Sequence, residues 1–189
     1  MTTQEDALAE ITSFLEGARV PYMVIGGIAN LIWGEPRATI DIDVTVLVPA
    51  DRVEAFIASV GREYQVLVDD PATFVRDTRV LPVAARSGVR IDLVFGLLPF
   101  EEEAVRRAAS VDAAGRSVRV CTPEDLILMK IISDRQRDLD DARAIVRRRL
   151  SELDLEYLEP RIAEMATLLE RDEINSLWHK WKAEAAGRT

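Results

Sequence analysis

Residues 26–43 of the chain read Gly26-Gly27-Ile28-Ala29-Asn30-Leu31-Ile32-Trp33-Gly34-Glu35-Pro36-Arg37-Ala38-Thr39-Ile40-Asp41-Ile42-Asp43. The apolar run that precedes the glycine pair, residues 22–25, predicts a short buried strand that ends in a tight turn. Residues 28–33 suit a helix, which Gly34-Glu35-Pro36 would close. Residues 38–48 are rich in β-branched side chains and predict a second strand. The order is therefore strand, glycine turn, helix and strand.

The second strand carries two carboxylates. Alternate side chains of a strand share a face, so Thr39, Asp41 and Asp43 are expected to point one way. The apolar residues between and after them are expected to face a core: Ile40, Ile42 and Val44. Two carboxylates about 7 Å apart on so apolar a strand repel each other unless a positive charge lies between them.

A third carboxylate, Asp92, lies in a later predicted strand between Ile91 and Leu93. If the two strands are neighbours, Asp41, Asp43 and Asp92 converge. Carboxylate oxygens are hard ligands that suit Mg²⁺, which takes the rest of its coordination shell from water and substrate phosphates. Two such ions would activate an attacking hydroxyl and neutralise a leaving pyrophosphate. The alternative is an exposed pair of aspartates with no ligand.

Gly26 and Gly27 supply a turn at which the backbone can approach a ligand closely, and the free amides of the following helix attract phosphate. Together with the carboxylates, this turn indicates nucleoside triphosphate (NTP) chemistry, although such glycine turns are often only structural. Thr39 is a further candidate for nucleotide binding. Arg37 is expected either to contact phosphate or to pair with Glu35.

The composition excludes several classes of protein. The chain has 189 residues, of which 48% are hydrophobic and 30% charged, so it can bury a core and is not disordered. No apolar run approaches the ~18 residues of a membrane span, and the polar, acidic start at residues 1–6 predicts a cytoplasmic protein. Cys121 is the only cysteine, so no internal disulfide forms. The net charge of −9 disfavours non-specific binding of long nucleic acids.

The pattern changes near residue 120 from strands to helices, which predicts an α/β domain over residues 1–118 and a helical lobe over residues 119–189. Thr122-Pro123-Glu124-Asp125 is typical of a helix start, because threonine can cap, proline fits the first turn and acidic residues complement the helix dipole.

These residues resemble the DNA polymerase β-like nucleotidyltransferase superfamily, whose pattern is a glycine pair, a helix, Asp-x-Asp and a third acidic residue on a later strand. The resemblance implies a small mixed sheet flanked by helices, with two Mg²⁺ held by Asp41, Asp43 and Asp92. The longer string Gly-Gly-x-Ala-x(4)-Gly-x-Pro-Arg-x-Thr-x-Asp-x-Asp is most like the AbiEii-type branch, known for toxin–antitoxin systems. It is also similar to small antibiotic nucleotidyltransferases that act on lincosamides.

The segment 126–141 resembles the AbiEii-type helical region, where a lysine is followed by an Arg-Asp pair and a further aspartate. Lys130 would then grip the nucleotide, and Asp138, which shares a helical face with Asp141, would support Lys130 or the catalytic site. The alternative is an exposed charged helix with local ion pairs, which is the preferred interpretation for Asp134, Asp140 and Arg135.

The implied reaction moves a nucleoside monophosphate from an NTP, such as ATP, to an acceptor hydroxyl on RNA, tRNA or a protein. The resemblance also raises a cognate antitoxin or a homo-oligomer as partners. Two alternatives remain: an enzyme that modifies a small antibiotic-like alcohol, and a binding module that keeps the fold without catalysis.

Overall fold

A computed structural model of the protein describes residues 3–113 and 115–187. Contacts between Cα atoms divide the chain into two compact units. The first contains the residues up to Ile28 together with Ala38–Cys121, and the second contains Ala29–Arg37 and the residues from Thr122 onward. The domain limits expected from sequence, 1–118 and 119–189, stay a prediction.

The first unit is built on a mixed β-sheet. Its strands are β1 (Tyr22–Val24), β2 (Ile42–Val46), β3 (Gln65–Val66), β4 (Val80–Ala84), β5 (Arg90–Phe95), β6 (Ala109–Ala113) and β7 (Arg116–Val120). Within the described residues they lie in the order β3-β4-β5-β2-β1-β7-β6. The central strand β2 runs parallel to β5 and antiparallel to β1. The predicted fold class, α/β with a mixed sheet flanked by helices, is confirmed.

The helices that begin in this unit are α1 (Thr3–Gly17), α2 (Gly26–Trp33), α3 (Val53–Glu63), α4 (Pro71–Thr78) and α5 (Pro99–Arg107). Aromatic rings join α1, α3 and the sheet. The ring of Phe14 lies 5.5 Å from that of Tyr64, and the ring of Phe56 lies 5.8 Å from that of Phe95, both edge to face. Such pairs contribute about 0.5–1.5 kcal/mol beyond the area that they bury.

Two local features differ from the sequence prediction. Strand β2 begins at Ile42, so the alternation expected from residue 38 onward does not reach Ile40, whose side chain is 87% exposed, whereas Ile42 and Val44 are fully buried. The expectation that Ile40 faces the core was therefore wrong. Helix α4 was not predicted, although Asp70 caps it by accepting a hydrogen bond from the Thr73 amide at 3.1 Å.

The second unit contains α6 (Pro123–Ile131), α7 (Gln136–Arg149), α8 (Leu155–Leu168) and α9 (Glu173–Ala186), together with the end of α2. The predicted helix start at Thr122 is confirmed, since its hydroxyl accepts a hydrogen bond from the Asp125 amide at 3.2 Å. Trp178 and Trp181 of α9 are buried in the helical core. Among the described residues, no helix combines the length and the apolar character that a membrane span requires.

Candidate active site

Three carboxylates meet in the first unit. Asp41 immediately precedes β2, Asp43 lies in β2 and Asp92 lies in β5. Because β2 and β5 are parallel neighbours, Asp43 pairs directly with Asp92 in the register. One carboxylate oxygen from each residue lies within 4.8 Å of the others, and all three side chains are partly exposed. The three aspartates therefore lie together, as the strand pattern predicts.

The glycine pair allows the backbone to approach these carboxylates. Gly26 has a φ of 59°, and a Cβ atom there would lie 2.0 Å from Oδ2 of Asp43. A Cβ atom at Gly27 would lie 2.2 Å from Oγ1 of Thr39. Neither distance is possible for real atoms, so a side chain at either position would have to displace a residue of the site. The assignment of this pair to phosphate binding stays a prediction.

Local hydrogen bonds hold the segment that carries Asp41. The Thr39 hydroxyl donates to the Asp41 backbone carbonyl at 3.2 Å and to Oδ1 of Asp41 at 3.3 Å. The Gln4 side-chain amide donates to the carbonyls of Thr39 and Asp41 at 3.3 and 3.4 Å. Sequence reasoning missed Gln4, because it lies in α1 and no local pattern links it to residues 39–41.

Sequence reasoning also missed Arg90. Its Nε donates to Oδ1 of Asp92 at 3.0 Å, and its side chain is 54% exposed. The two residues are two apart on β5 and so share a face of the sheet. This two-residue spacing on a predicted strand was the sequence signal that could have indicated the pairing of Arg90 with Asp92. The guanidinium offsets one of the negative charges of the cluster and engages one of the oxygens that could bind a metal.

In the second unit, Lys130 lies at the centre of an ion network. The side chain is almost fully buried, and Nζ donates to Oδ1 of Asp138 and to Oδ2 of Asp141, each at 2.8 Å. Arg37 grips Asp141 in a bidentate manner, with Nε 3.1 Å from Oδ1 and Nη2 2.9 Å from Oδ2. Arg37 was expected to contact phosphate or Glu35, and this pairing with Asp141 was not predicted.

Both aspartates of the network stay ionised in spite of their burial. Desolvation opposes ionisation of Asp138, but hydrogen bonds from Lys130 and Ser133 outweigh it and lower the pKa of the carboxyl below its usual range. Burial likewise opposes ionisation of Asp141, and hydrogen bonds from Arg37 and Lys130 lower its pKa. Lys130 thus shares its single positive charge between two buried carboxylates. Two of the three N–H donors of its ammonium are engaged here, and its predicted role in gripping a nucleotide stays a prediction.

The predicted site residues therefore fall into two groups, each described within its own unit. Gly26, Gly27 and Thr39 lie around the three aspartates in the first unit. Lys130, Asp138 and Arg37 are joined through Asp141 in the second.

A family model described as "Nucleotidyltransferase of unknown function (DUF6036)" matches residues 5–186. The chain belongs to this family. The predicted enzyme class, a nucleotidyltransferase, is thereby confirmed. The match does not support the narrower AbiEii-type placement.

Solved structures share the fold at low sequence identity. An antigenic nucleotidyltransferase-like protein from Paracoccidioides brasiliensis is 16% identical, with a TM-score of 0.54 over 92% of this chain and 90% of that one. The lincomycin-bound lincosamide antibiotic adenylyltransferase LnuA is 16% identical, with a TM-score of 0.53 over 77% and 96%. The antibiotic-resistance factor ANT(2'')-Ia is 18% identical, with a TM-score of 0.57 over 92% and 97%. No curated protein matches the chain in sequence.

Proposed function

We propose that the protein is a Mg²⁺-dependent enzyme that transfers a nucleoside monophosphate from an NTP to an acceptor hydroxyl and releases pyrophosphate. The convergence of Asp41, Asp43 and Asp92 beside the glycine pair carries this proposal. In the reaction, the acceptor oxygen attacks the α-phosphorus and the bond from this phosphorus to the pyrophosphate oxygen breaks. The acceptor hydroxyl loses its proton.

The residues at this site fit a magnesium centre. They offer carboxylate oxygens, which are hard ligands, and these oxygens lie close enough to share ions after small movements of the side chains. Three clustered carboxylates that gained no cation would repel one another, and Arg90 offsets only one of the charges. When bound, Mg²⁺ would supply charge neutralisation at the phosphates and lower the pKa of the acceptor hydroxyl.

The remaining work falls to the chain itself. Backbone amides near Gly26 and Gly27 would hold the triphosphate, since glycine adds no side chain of its own beside the Asp43 and Thr39 side chains. The Thr39 hydroxyl would keep the Asp41 carboxylate oriented. Asp92 would accept the proton of the acceptor hydroxyl on a carboxylate oxygen. Phosphoryl transfer depends mainly on positioning and charge neutralisation, so these orienting contacts matter as much as the ligands.

For the second unit we propose that Lys130 and Asp138 serve the nucleotide, with Arg37 contacting phosphate. The physical support is their concentration of charge, since three cations, Lys130, Arg37 and Arg135, surround the two aspartates. Such a network leaves a net positive charge in an otherwise acidic protein.

The decisive experiment compares single aspartate-to-asparagine variants. Asp41→Asn, Asp43→Asn and Asp92→Asn should each lower pyrophosphate release by orders of magnitude without loss of fold. Asp69→Asn, an exposed aspartate in the loop after β3, is the matched control and should behave as wild type. Calorimetric titration with Mg²⁺ and each NTP measures whether the chain binds nucleotide in a metal-dependent manner. Full activity in Asp41→Asn would contradict the proposal, and a non-catalytic module would show no metal-dependent nucleotide binding.

Two classes of acceptor are compatible with the proposed reaction. The first is a macromolecule, RNA, tRNA or protein, in the setting of an AbiEii-like toxin–antitoxin pair. The second, which ranks behind the first, is a small antibiotic-like alcohol. Its support is the fold shared with LnuA and with ANT(2'')-Ia, a structure of which contains adenylyl-2"-tobramycin. Incubation with α-labelled NTPs and a bacterial lysate separates them, because the label enters RNA, protein or small solutes.

A further inference from the structure

A cavity lies in the first unit, at the opposite end of the strands from the carboxylates. Asp43 and Asp92 lie near the amino ends of β2 and β5, whereas Leu47 and Gly96 directly follow the carboxyl ends of these strands and line the cavity. The cavity measures about 870 Å³. This volume falls within the range of about 300–1,000 Å³ that is typical of small-molecule sites.

The lining combines apolar residues with charged ones. Pro21, Val48, Phe56 and Leu97 are among the apolar lining residues, and Leu97 is 57% exposed. An apolar body would bury surface against these groups and gain from leaving water.

Arg19 occupies a backbone position that favours glycine. It follows the end of α1 with a φ of 55°, and two hydrogen bonds fix this turn: the Arg19 amide donates to the Glu16 carbonyl at 3.0 Å, and the Val20 amide donates to the Leu15 carbonyl at 2.9 Å. This pattern is the Schellman helix end, whose left-handed residue is usually glycine. Non-glycine residues with such a strained backbone cluster at functional sites. Here that side chain lines the cavity.

Arg52 is a second cation in the lining. Among residues 3–113 and 115–187, neither the Arg19 nor the Arg52 guanidinium forms an ion pair or a hydrogen bond, although most arginines of this acidic chain do. Glu102 also lines the cavity, but its carboxylate lies 4.0 Å from Nη1 of Arg106 on the next turn of α5. Two exposed guanidiniums without a protein partner among the described residues therefore line the cavity together with apolar residues.

We propose that this cavity binds an amphiphilic carboxylate, with its alkyl chain against the apolar lining residues and its carboxylate between Arg19 and Arg52. The guanidinium fork matches a carboxylate in charge and geometry. The site is separate from the nucleotide chemistry and does not depend on it, so its test needs no NTP.

The test uses decanoate as the probe, and isothermal titration calorimetry measures its binding to the full chain. Decanoate should bind with one site per chain, and uncharged decanol should bind at least about tenfold more weakly, because it cannot use the charge-assisted hydrogen bonds. Arg52→Gln should weaken decanoate by about tenfold. Arg19→Gly should weaken it similarly while leaving the melting temperature unchanged or higher, since glycine relieves the left-handed backbone.

Arg62→Gln is the matched control, an exposed arginine on α3 that does not line the cavity. It should bind decanoate as wild type does. Equal affinities for decanoate and decanol, or unchanged decanoate affinity in both Arg19→Gly and Arg52→Gln, would overturn the proposal. Decyl phosphate binding at least about tenfold more tightly than decanoate would overturn the choice of a carboxylate head group. Failure here leaves the nucleotidyltransferase proposal untouched, because the Asp41→Asn assay is independent of this cavity.

Discussion

Replacement of Gly26 by alanine should disable the carboxylate site while the protein stays folded. The new Cβ atom would lie 2.0 Å from Oδ2 of Asp43 and 2.8 Å from its Cγ. Either the turn or the Asp43 carboxylate must move by more than an ångström. Because the turn is fixed between β1 and α2 and the carboxylate is the far end of a rotatable side chain, we expect the carboxylate to move away from Asp92.

The cost has two separable parts. An L-residue at a φ of 59° has an unfavourable left-handed backbone, which costs roughly 1–2 kcal/mol. Overpacking adds about 1–3 kcal/mol if Asp43 stays in place, and little if it rotates away. At roughly 2–4 °C per kcal/mol for a chain of this size, the melting temperature should fall by about 2–8 °C when Asp43 yields. The loss of metal binding should then be nearly complete.

Gly88→Ala provides the matched control. Gly88 lies in the turn between β4 and β5 with a φ of 81°, and a Cβ atom there meets nothing within 4 Å. The Gly88→Ala variant therefore has the same kind of backbone strain as Gly26→Ala but no steric clash of the new Cβ atom. Binding of Mn²⁺, followed by electron paramagnetic resonance, should be lost in Gly26→Ala and retained in Gly88→Ala, at similar losses of melting temperature. Equal Mn²⁺ affinity in both variants would refute the inference that Gly26 makes room for Asp43.

Three further predictions concern the charged groups. Lys130→Met leaves the buried carboxylates of Asp138 and Asp141 without their shared cation. The free energy of unfolding, measured in urea, should fall by about 3–5 kcal/mol. A loss below about 1 kcal/mol would contradict a structural role for this network. Because the pKa values of Asp138 and Asp141 are lowered in the folded protein, their contribution to stability is complete above the ordinary aspartate pKa near 4 and is lost as the pH falls through the lower folded values. Melting temperatures between pH 2 and 7 should accordingly decline less steeply toward acid in Asp141→Asn than in wild type. Arg90→Gln removes the cation that engages Asp92, so the Mn²⁺ affinity without NTP should rise by up to about fivefold. A fall in Mn²⁺ affinity would mean instead that Arg90 helps to hold the metal site together.

Much of the first unit follows from local sequence patterns. The apolar run at residues 22–25, the glycine pair and the Asp-x-Asp spacing predicted β1, the turn and the strand with its carboxylates. The start of that strand was placed too early, since β-branched residues at 38–41 have strand propensity but no neighbouring strand to pair with. Ile40 is exposed for this reason, although its residue type predicts burial.

Contacts between distant parts of the chain were beyond the reach of these patterns. Arg37 has an acidic neighbour at Glu35, yet it pairs with Asp141, which lies 104 residues away. Asp138 was predicted to support either Lys130 or the catalytic site, but only the packing of α6 against α7 shows Lys130 buried between Asp138 and Asp141. Helix packing decides such pairs.

The sequence by itself determined which residue types are available: a glycine pair, three aspartates in segments of strand-like pattern and a helix-rich second half. Only the tertiary structure decided that β5 lies directly beside β2 in parallel, which sets Asp92 opposite Asp43 and brings Arg90 to the carboxylate cluster. The physical reason is that side-chain periodicity is a property of one segment, whereas strand order and register depend on how all segments bury their apolar faces together.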